Sequence, residues 1–212
     1  MPQTRAVGEG LSFTFIGNEA FFISDGHTTL LTDFPYQSGA FGYMTYDRSG
    51  LPAVNDGVCL ITHGHADHFD AAWFEKTDFA IIAPRSVSAN LKTQRLVAFA
   101  PEMQYRDIRV RAFRTPHGDV EHYSYLVSWH GLLLYLTGDT DDLSVLERQS
   151  GLDVAFLTPW QLAAFRHEHK RIPSKRVVIY HQRSDEEVPM YQRRLVPRQG
   201  ESFELPFPRH AP

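Results

Sequence analysis

The sequence predicts an α+β fold, two β-sheets with helices packed outside them. Three observations carry this expectation. The first third of the chain alternates short aromatic or β-branched runs with turn residues. The remainder mixes such runs with helical stretches. The strand-only part and the mixed part form two successive stretches, as two stacked sheets would need. At 212 residues the chain has the length of one layered domain, residues 1–212. A chain of this size buries about 70% of its unfolded surface without covalent staples.

Taken in order, residues 12–15, 20–24 and 29–33 read as strands of a β-meander. Gly17-Asn18-Glu19 and Asp25-Gly26-His27 supply the turn chemistry between them. Residues 34–55 form a loop rich in aromatics and glycine, including Tyr36, Phe41, Tyr43 and Tyr46. Long irregular loops are commonly functional, which makes Tyr43 and Tyr46 candidate walls of a substrate pocket. Residues 58–62 read as a strand, 69–76 as a helix, and 79–83 as a strand stopped by Pro84. Residues 86–98 read as a helix with Ser86 or Ser88 as N-cap. Strands resume at 109–115, 124–129, 132–137 and 154–158, with a short helix at 143–149. A helix over 162–170, a buried strand over 177–180 and an extended tail over 194–205 complete the chain.

Composition narrows the function. The single cysteine, Cys59, excludes an internal disulfide framework and suits a reducing, cytoplasmic compartment. Residues 1–14 lack the apolar core of a secretory signal, and no stretch approaches the ~18 apolar residues of a membrane span. Net charge is −4, which argues against a nucleic-acid partner. From residue 166 to 212 there are ten basic residues against six acids, leaving 11 against 19 elsewhere. That basic quarter is either a solvated face or an attraction for a small anionic substrate.

Histidine is the anomaly, eleven in all. Four apolar runs end alike. Residues 58–62 run into His63-Gly64-His65-Ala66-Asp67-His68, and 109–115 pass through Pro116 into His117. Residues 132–137 pass through Gly138 into Asp139, and 177–180 lead straight into His181. A side chain just beyond a buried strand has a fixed base, so these endings bring seven metal-binding groups to one rim. Imidazole and carboxylate together suit zinc, manganese or iron. His63 and His65, with Gly64 relieving the turn, face one ion; Asp67 and His68 are displaced enough to serve a second. His117 completes the first set, His181 the second, and Asp139 bridges them. Two ions about 3.5–4 Å apart share a hydroxide and clamp the attacking and leaving oxygens of a hydrolysis. A mere surface cluster of histidines would not carry three further ligands, each ending an apolar run.

The stretches Thr62-His63-Gly64-His65-Ala66-Asp67-His68, Thr115-Pro116-His117-Gly118, Leu136-Thr137-Gly138-Asp139-Thr140 and Ile179-Tyr180-His181 resemble the motifs of the metallo-β-lactamase-fold hydrolase superfamily. The resemblance extends over nearly the whole chain. It implies an αββα sandwich of two mixed sheets with a dinuclear centre at one edge. His63, His65 and His117 would hold one ion, Asp67, His68 and His181 the other, with Asp139 between them. The departures are informative. True β-lactamases of this fold carry cysteine where Asp139 stands, tRNA-processing members have a basic arm and further histidine motifs absent here, and flavin di-iron members have glutamate at the position of His65. What remains is the small, compact branch, similar to ascorbate-lactone hydrolases and lipid phosphodiesterases.

The expected activity is metal-dependent hydrolysis of a small phosphodiester, lactone or ester, with phosphodiester favoured by the basic quarter and the bridging aspartate. Two divalent ions are expected, zinc first and manganese or iron otherwise. Asp67 and Asp139 are the candidate catalytic residues. Asp33 is placed to accept a ring N–H from a ligand histidine, while His122 and Trp160 join Tyr43 and Tyr46 as candidate pocket residues. The competing readings are a nuclease on single strands, an iron-dependent sulfur dioxygenase and a non-catalytic metal-bound module. His27, His130, His167 and His169 receive no role, Cys59 reads as a buried strand residue, and a homo-oligomer is left open.

Overall fold

The computed structural model describes residues 9–183, 185–188 and 190–208. Its elements follow in chain order: β1 (Gly10–Gly17), β2 (Ala20–Ser24), β3 (Thr29–Thr32), β4 (Gly57–Leu60), α1 (Ala71–Phe74), β5 (Ala80–Ile82) and α2 (Arg85–Ser88). Then come β6 (Glu102–Tyr105), β7 (Ile108–Arg114), β8 (Tyr123–Trp129), β9 (Leu132–Leu136), α3 (Ser144–Glu147), β10 (Leu152–Leu157), α4 (Pro159–His167), β11 (Ser174–Ile179), β12 (Arg194–Leu195) and β13 (Ser202–Pro206). One sheet has the order β13-β1-β2-β3-β4-β5, the other β12-β11-β10-β9-β8-β7-β6.

The two-residue period of the strands builds three apolar layers. Phe13, Phe15, Phe21, Ile23, Leu30, Val58 and Leu60 of the first sheet meet Tyr125, Val127, Trp129, Leu134, Val154, Phe156 and Val178 of the second in the central layer. The alternate residues point outward. Phe22, Leu31, Cys59 and Ile81 are covered by Phe74 of α1 and Val87 of α2. Tyr135, Ala155, Leu157, Val177 and Ile179 are covered by Leu146 of α3 and by Leu162 and Phe165 of α4. This is the expected αββα layering. No helix among the described residues is long and apolar enough to cross a membrane.

Strand polarity decides where the site forms. In the first sheet β3 and β4 are parallel, and β1 runs with them because it is antiparallel to β2, which is antiparallel to β3. In the second sheet β9, β10 and β11 are parallel, and β7 shares their direction through the antiparallel β8. The segments carrying Asn18, Asp33 and His63 therefore leave one end of the first sheet. Those carrying His117, Asp139 and His181 leave one end of the second.

The structure departs from the sequence reading in three elements. The helix expected over residues 86–98 stops after one turn. The chain then lies along the free edge of β5, where Ile81 N–H donates to Arg95 O (3.1 Å) and Val97 N–H to Ile81 O (2.9 Å). Unpaired strand edges compete strongly for such a segment. The helix over 69–76 shrinks to α1, because His68 and Phe69 already donate to the carbonyl of His65 in a tight turn and Asp70 takes the N-cap. Strand β6, whose exposed residues hide its strand character, was not expected at all. His130, given no role from sequence, bridges Asp25 (2.9 Å) and Asp107 (3.1 Å) and so ties the β2–β3 turn to the β6–β7 turn across the two sheets.

That tie generates an acid-stability prediction. Burial pushes the Asp25 carboxyl upward, but the bond from His130 and the N–H groups of Thr28 and His27 outweigh it and hold it below the usual range. A depressed folded pKa gives stability that is present above the unfolded value and lost as pH falls below about 4. Urea midpoints recorded from pH 6 to pH 2.5 should fall less steeply for Asp25→Asn than for the parent chain; parallel curves would mean the tie contributes nothing.

Candidate metal centre

The carboxylate of Asp33, almost wholly buried, organises the first half of the site. Its Oδ1 accepts from Thr62 N–H (2.7 Å) and its Oδ2 from the Thr62 hydroxyl (2.8 Å). His68 Nδ1 donates to the same Oδ2 at 3.1 Å. Because the one Thr62 proton is committed to Asp33, the hydroxyl can only accept from His63 Nδ1, 3.0 Å away. Both rings thereby carry a proton on Nδ1 and turn Nε2 inward, the orientation a ligating imidazole requires.

The inward donors converge. His63 Nε2 is 3.0 Å from His65 Nδ1, and His68 Nε2 is 3.1 Å from His181 Nε2. The donor atoms of His63, His65 and His117 lie within 4.8 Å of one another, as do those of Asp67, His68 and His181. Asp139 reaches both sets. Its Oδ2 is 3.3 Å from His68 Nε2, 3.8 Å from His117 Nε2 and 3.9 Å from His63 Nε2, while its Oδ1 is 3.3 Å from His181 Nε2. All seven sequence-predicted residues thus come together. Asp67 Oδ1 and Asp139 Oδ1 are buried with no hydrogen-bond partner, a costly state for a carboxylate oxygen. Two groups of three donors, a carboxylate within reach of both and buried carboxylate oxygens without partners fit divalent-cation binding.

The Asp139 loop is held from three sides. His122 Nε2 accepts the Asp139 N–H (3.0 Å), and the Tyr180 hydroxyl accepts the Gly138 N–H (2.7 Å). Gln161 Nε2 donates to the carbonyls of Gly138 (2.7 Å) and Thr140 (2.8 Å). Gln161 can do this because it also closes the capping box of α4: its Oε1 accepts from Thr158 N–H, and the Thr158 hydroxyl accepts from its own N–H. Gly138 has φ +64°, and a Cβ there would strike His122. Gly64, by contrast, is not left-handed; what restricts it is Val87, 3.3 Å from an added Cβ.

The β1–β2 turn, read from sequence only as punctuation, enters the site from below. Asn18, left-handed at φ 50°, donates from Nδ2 to Asp67 O (3.1 Å), accepts from Met44 N–H (3.0 Å) and offers its carbonyl to His181 N–H. Glu19 is buried behind His68, its Oε2 3.8 Å from Nδ1 and neither oxygen partnered. Burial and Asp139 push its carboxyl up, so it is held neutral. Glu19 lies in no motif, and Gln161 is signalled only as the end of a Thr-x-x-Gln capping box, which says nothing of its reach to the Asp139 loop.

Electrostatics divide the donors: His63 and His65 are held neutral and the carboxylates ionised, whereas His68 and His181 must give up a proton before they can ligate. Burial, then His68, pulls His63 down, and burial, then His117, does the same to His65. Burial would raise Asp67 and Asp139, but His68 and His181 outweigh it, and both stay ionised. Reciprocally, the carboxylates overcome burial to push His68 and His181 up.

The four candidate pocket residues separate. Tyr43 and Trp160 flank the His181 ring at 4.2 and 5.3 Å between centroids. Tyr46 does not: its hydroxyl donates to Tyr36 O and its ring stacks on Trp73 at 5.5 Å, in the aromatic cluster under loop 34–55. His122 is wholly buried. With Nε2 accepting from Asp139 N–H, its Nδ1 donates to Thr115 Oγ1 (2.8 Å), so both nitrogens are used. It positions Asp139 and walls no pocket; burial holds it down at about 4, in the neutral form this role needs.

A sequence profile described as a beta-lactamase superfamily domain matches residues 12–159. A UPF0173 protein of Pyrococcus furiosus is 29% identical over 138 residues, 61% of this chain; the match spans about 60% of that relative's length. Among solved structures, the metallo-β-lactamase fold protein YhfI of Bacillus subtilis superposes with a TM-score of 0.68 at 13% identity, over 92% of this chain and 98% of that one. A metallo hydrolase of the archaeon Ignicoccus hospitalis gives 0.66 at 15% identity, over 93% and 99%. At these identities the structural likeness speaks for the fold.

The clamp on the Asp139 loop is testable. Gln161→Leu keeps the volume but leaves the carbonyls of Gly138 and Thr140 without their donor. Stability should fall by on the order of 2–4 kcal/mol in urea titrations. Divalent-metal affinity, measured by competition with a chromophoric chelator, should weaken about 10–100-fold. Unchanged metal affinity would show that the loop holds its geometry without Gln161.

Proposed function

The chain belongs to the beta-lactamase superfamily, and we propose that within it this protein is a metal-dependent hydrolase with a dinuclear centre acting on a small, anionic ester, a phosphodiester before a lactone. The observation that carries the reading is the split carboxylate of Asp139, one oxygen beside His181 and the other beside His63, His68 and His117. That is the geometry a bridging ligand needs. His63, His65 and His117 would hold one ion, Asp67, His68 and His181 the other, with zinc the first expectation. Ions held there supply Lewis acidity and a hydroxide at neutral pH.

The protein's own groups do the rest. Asp139, fixed by His122, Gln161 and Tyr180, sets the separation of the two halves. Asp67, whose Oδ2 lies 3.3 Å from His181 Nε2 and 3.6 Å from His68 Nε2, would orient the attacking nucleophile by accepting a hydrogen bond from it. Asp33 keeps the rings of His63 and His68 in one orientation through Thr62 and directly. His65 and His117 are the more exposed of the set, which makes their side the approach for substrate. His63, His68 and His181 are sealed beneath. Of the basic run from residue 166, Arg183 stands over Tyr43 beside His181 and supports an anionic substrate, whereas Lys170 and Lys175 pair with Glu147, Glu168 and Asp153. The same protein is expected to work away from membranes, in a reducing compartment.

Protein purified without chelator or added metal should contain close to two zinc, manganese or iron ions per chain by plasma mass spectrometry, and should hydrolyse bis(4-nitrophenyl) phosphate faster than a lactone panel. Asp139→Ala should lose metal and activity together. Full activity with intact metal in that variant would sink the bridging assignment, and a single iron with oxygen uptake would replace hydrolysis by a dioxygenase.

A further inference from the structure

Loop 34–55 and the segment after β11 meet over His181. Tyr43 stands edge-on to the His181 ring. Arg183, two residues past His181, lays its guanidinium over Tyr43, 5.1 Å from the ring centroid. The side chain is exposed. Acidic neighbours follow at Asp185, Glu186 and Glu187, yet the Glu186 carboxylate accepts from the Arg183 backbone N–H (3.1 Å) instead of pairing with the guanidinium. Among the described residues no carboxylate lies within ion-pair distance of that guanidinium. A cation that stacks on an aromatic ring keeps its planar fork restrained and its donors open, and this one is a single ring's width from a residue of the metal-binding set.

We propose that Arg183, steadied by Tyr43, is an anion subsite that receives a second negative group of the substrate, a phosphate or carboxylate remote from the bond that is cut. The proposal rests on the hydrolase reading of the same centre and adds the substrate class: molecules with two separated anionic groups, the first engaged at the histidine cluster and the second at Arg183. Arginine binds either anion through two parallel N–H donors. Because the guanidinium is exposed, salt screens the attraction. A neutral ester or an unsubstituted lactone gains nothing from Arg183, so the subsite discriminates among substrates that the metal centre alone would treat alike.

Equilibrium dialysis tests this without turnover. The probes are alkylphosphonates, ω-phosphonocarboxylates and α,ω-diphosphonates with two to four methylenes, with protein metal content checked after each run. The parent protein should bind at least one two-anion series about tenfold more tightly than the matching alkylphosphonate, a difference of about 1.4 kcal/mol. Whether the carboxylate or the phosphonate series gains more identifies the second group. Arg183→Gln should erase the difference, Arg183→Lys should restore part of it, and Tyr43→Ala should weaken it while Tyr43→Phe, which keeps the ring, preserves most. One molar sodium chloride should also suppress it. Equal binding of all probes by the parent, or a preference that survives Arg183→Gln, overturns the subsite and leaves the hydrolase reading to its own metal and activity measurements. A chain that holds no metal but keeps an Arg183-dependent preference would overturn the hydrolase reading instead.

Discussion

Everything at the rim depends on holding one carboxylate, that of Asp139, where both halves of the donor set can reach it. A loop left to itself would place a side chain with an uncertainty larger than a coordination bond tolerates. Here four backbone groups of residues 138–140 are satisfied by three side chains from three different elements: His122 before β8, Gln161 in the first turn of α4, and Tyr180 at the end of β11. Each of these side chains has a second anchor. His122 donates to Thr115, Gln161 closes the capping box of α4, and Tyr180 lies within hydrogen-bond distance of Thr137. The loop is rigid because its supports are themselves supported, as a preorganised site requires.

The same rim concentrates backbone strain. Asn18, Asp33 and His181 are all non-glycine residues with positive φ, at 50°, 38° and 52°. Such conformations cost of order 1–3 kcal/mol each when the environment does not compensate. Here the compensation is visible. Asn18 makes two side-chain bonds and one carbonyl bond, and Asp33 accepts three hydrogen bonds. The His181 N–H, turned by its own left-handed backbone, finds Asn18 O. Strain and compensation form one network, which ties the segments of Asp67, Met44 and His181 to a single turn between β1 and β2.

How much of this was legible in the sequence follows from which interactions are local. The seven candidate ligands were readable because they follow the ends of four apolar runs, and strand polarity brings them together. The two sheets with helices outside were readable from the order of strand-like and helical runs; a period of two shows in β1 and β7 but not in β10, which is buried on both faces. Asp33 was readable as a partner of a ligand histidine, and the structure adds that it acts on His63 as well, through Thr62. The helix over residues 86–98 failed because its propensity competes with an open strand edge 80–82, which no local pattern reveals. His122 looked like a pocket residue because it sits five positions after His117; only the β7–β8 register turns it beneath Asp139. The reach of Glu19 and Gln161 was invisible for the same reason, since their partners lie 49 and 23 positions away in His68 and Gly138.

The distribution of rigid and irregular segments argues where specificity resides. The metal-binding side chains hang from strand ends clamped by buried hydrogen bonds, and a fold of this kind hosts many chemistries without changing that frame. The irregular part of the rim is the cover. Loop 34–55 places Tyr43 beside His181 and the exposed Phe41 6.5 Å from His65, while α4 adds Trp160. These groups are aromatic and partly exposed, and the loop that carries Tyr43 is tied to the frame through its backbone: Met44 N–H donates to Asn18, Met44 O accepts from the Tyr36 hydroxyl and Thr45 O accepts from Gln199. A cover held by its backbone can change its side chains without disturbing the groups below, whereas a change at Asn18 would move cover and site together. Asn18 is therefore the joint between the geometry of the centre and the groups at its mouth, although it is itself shut off from solvent.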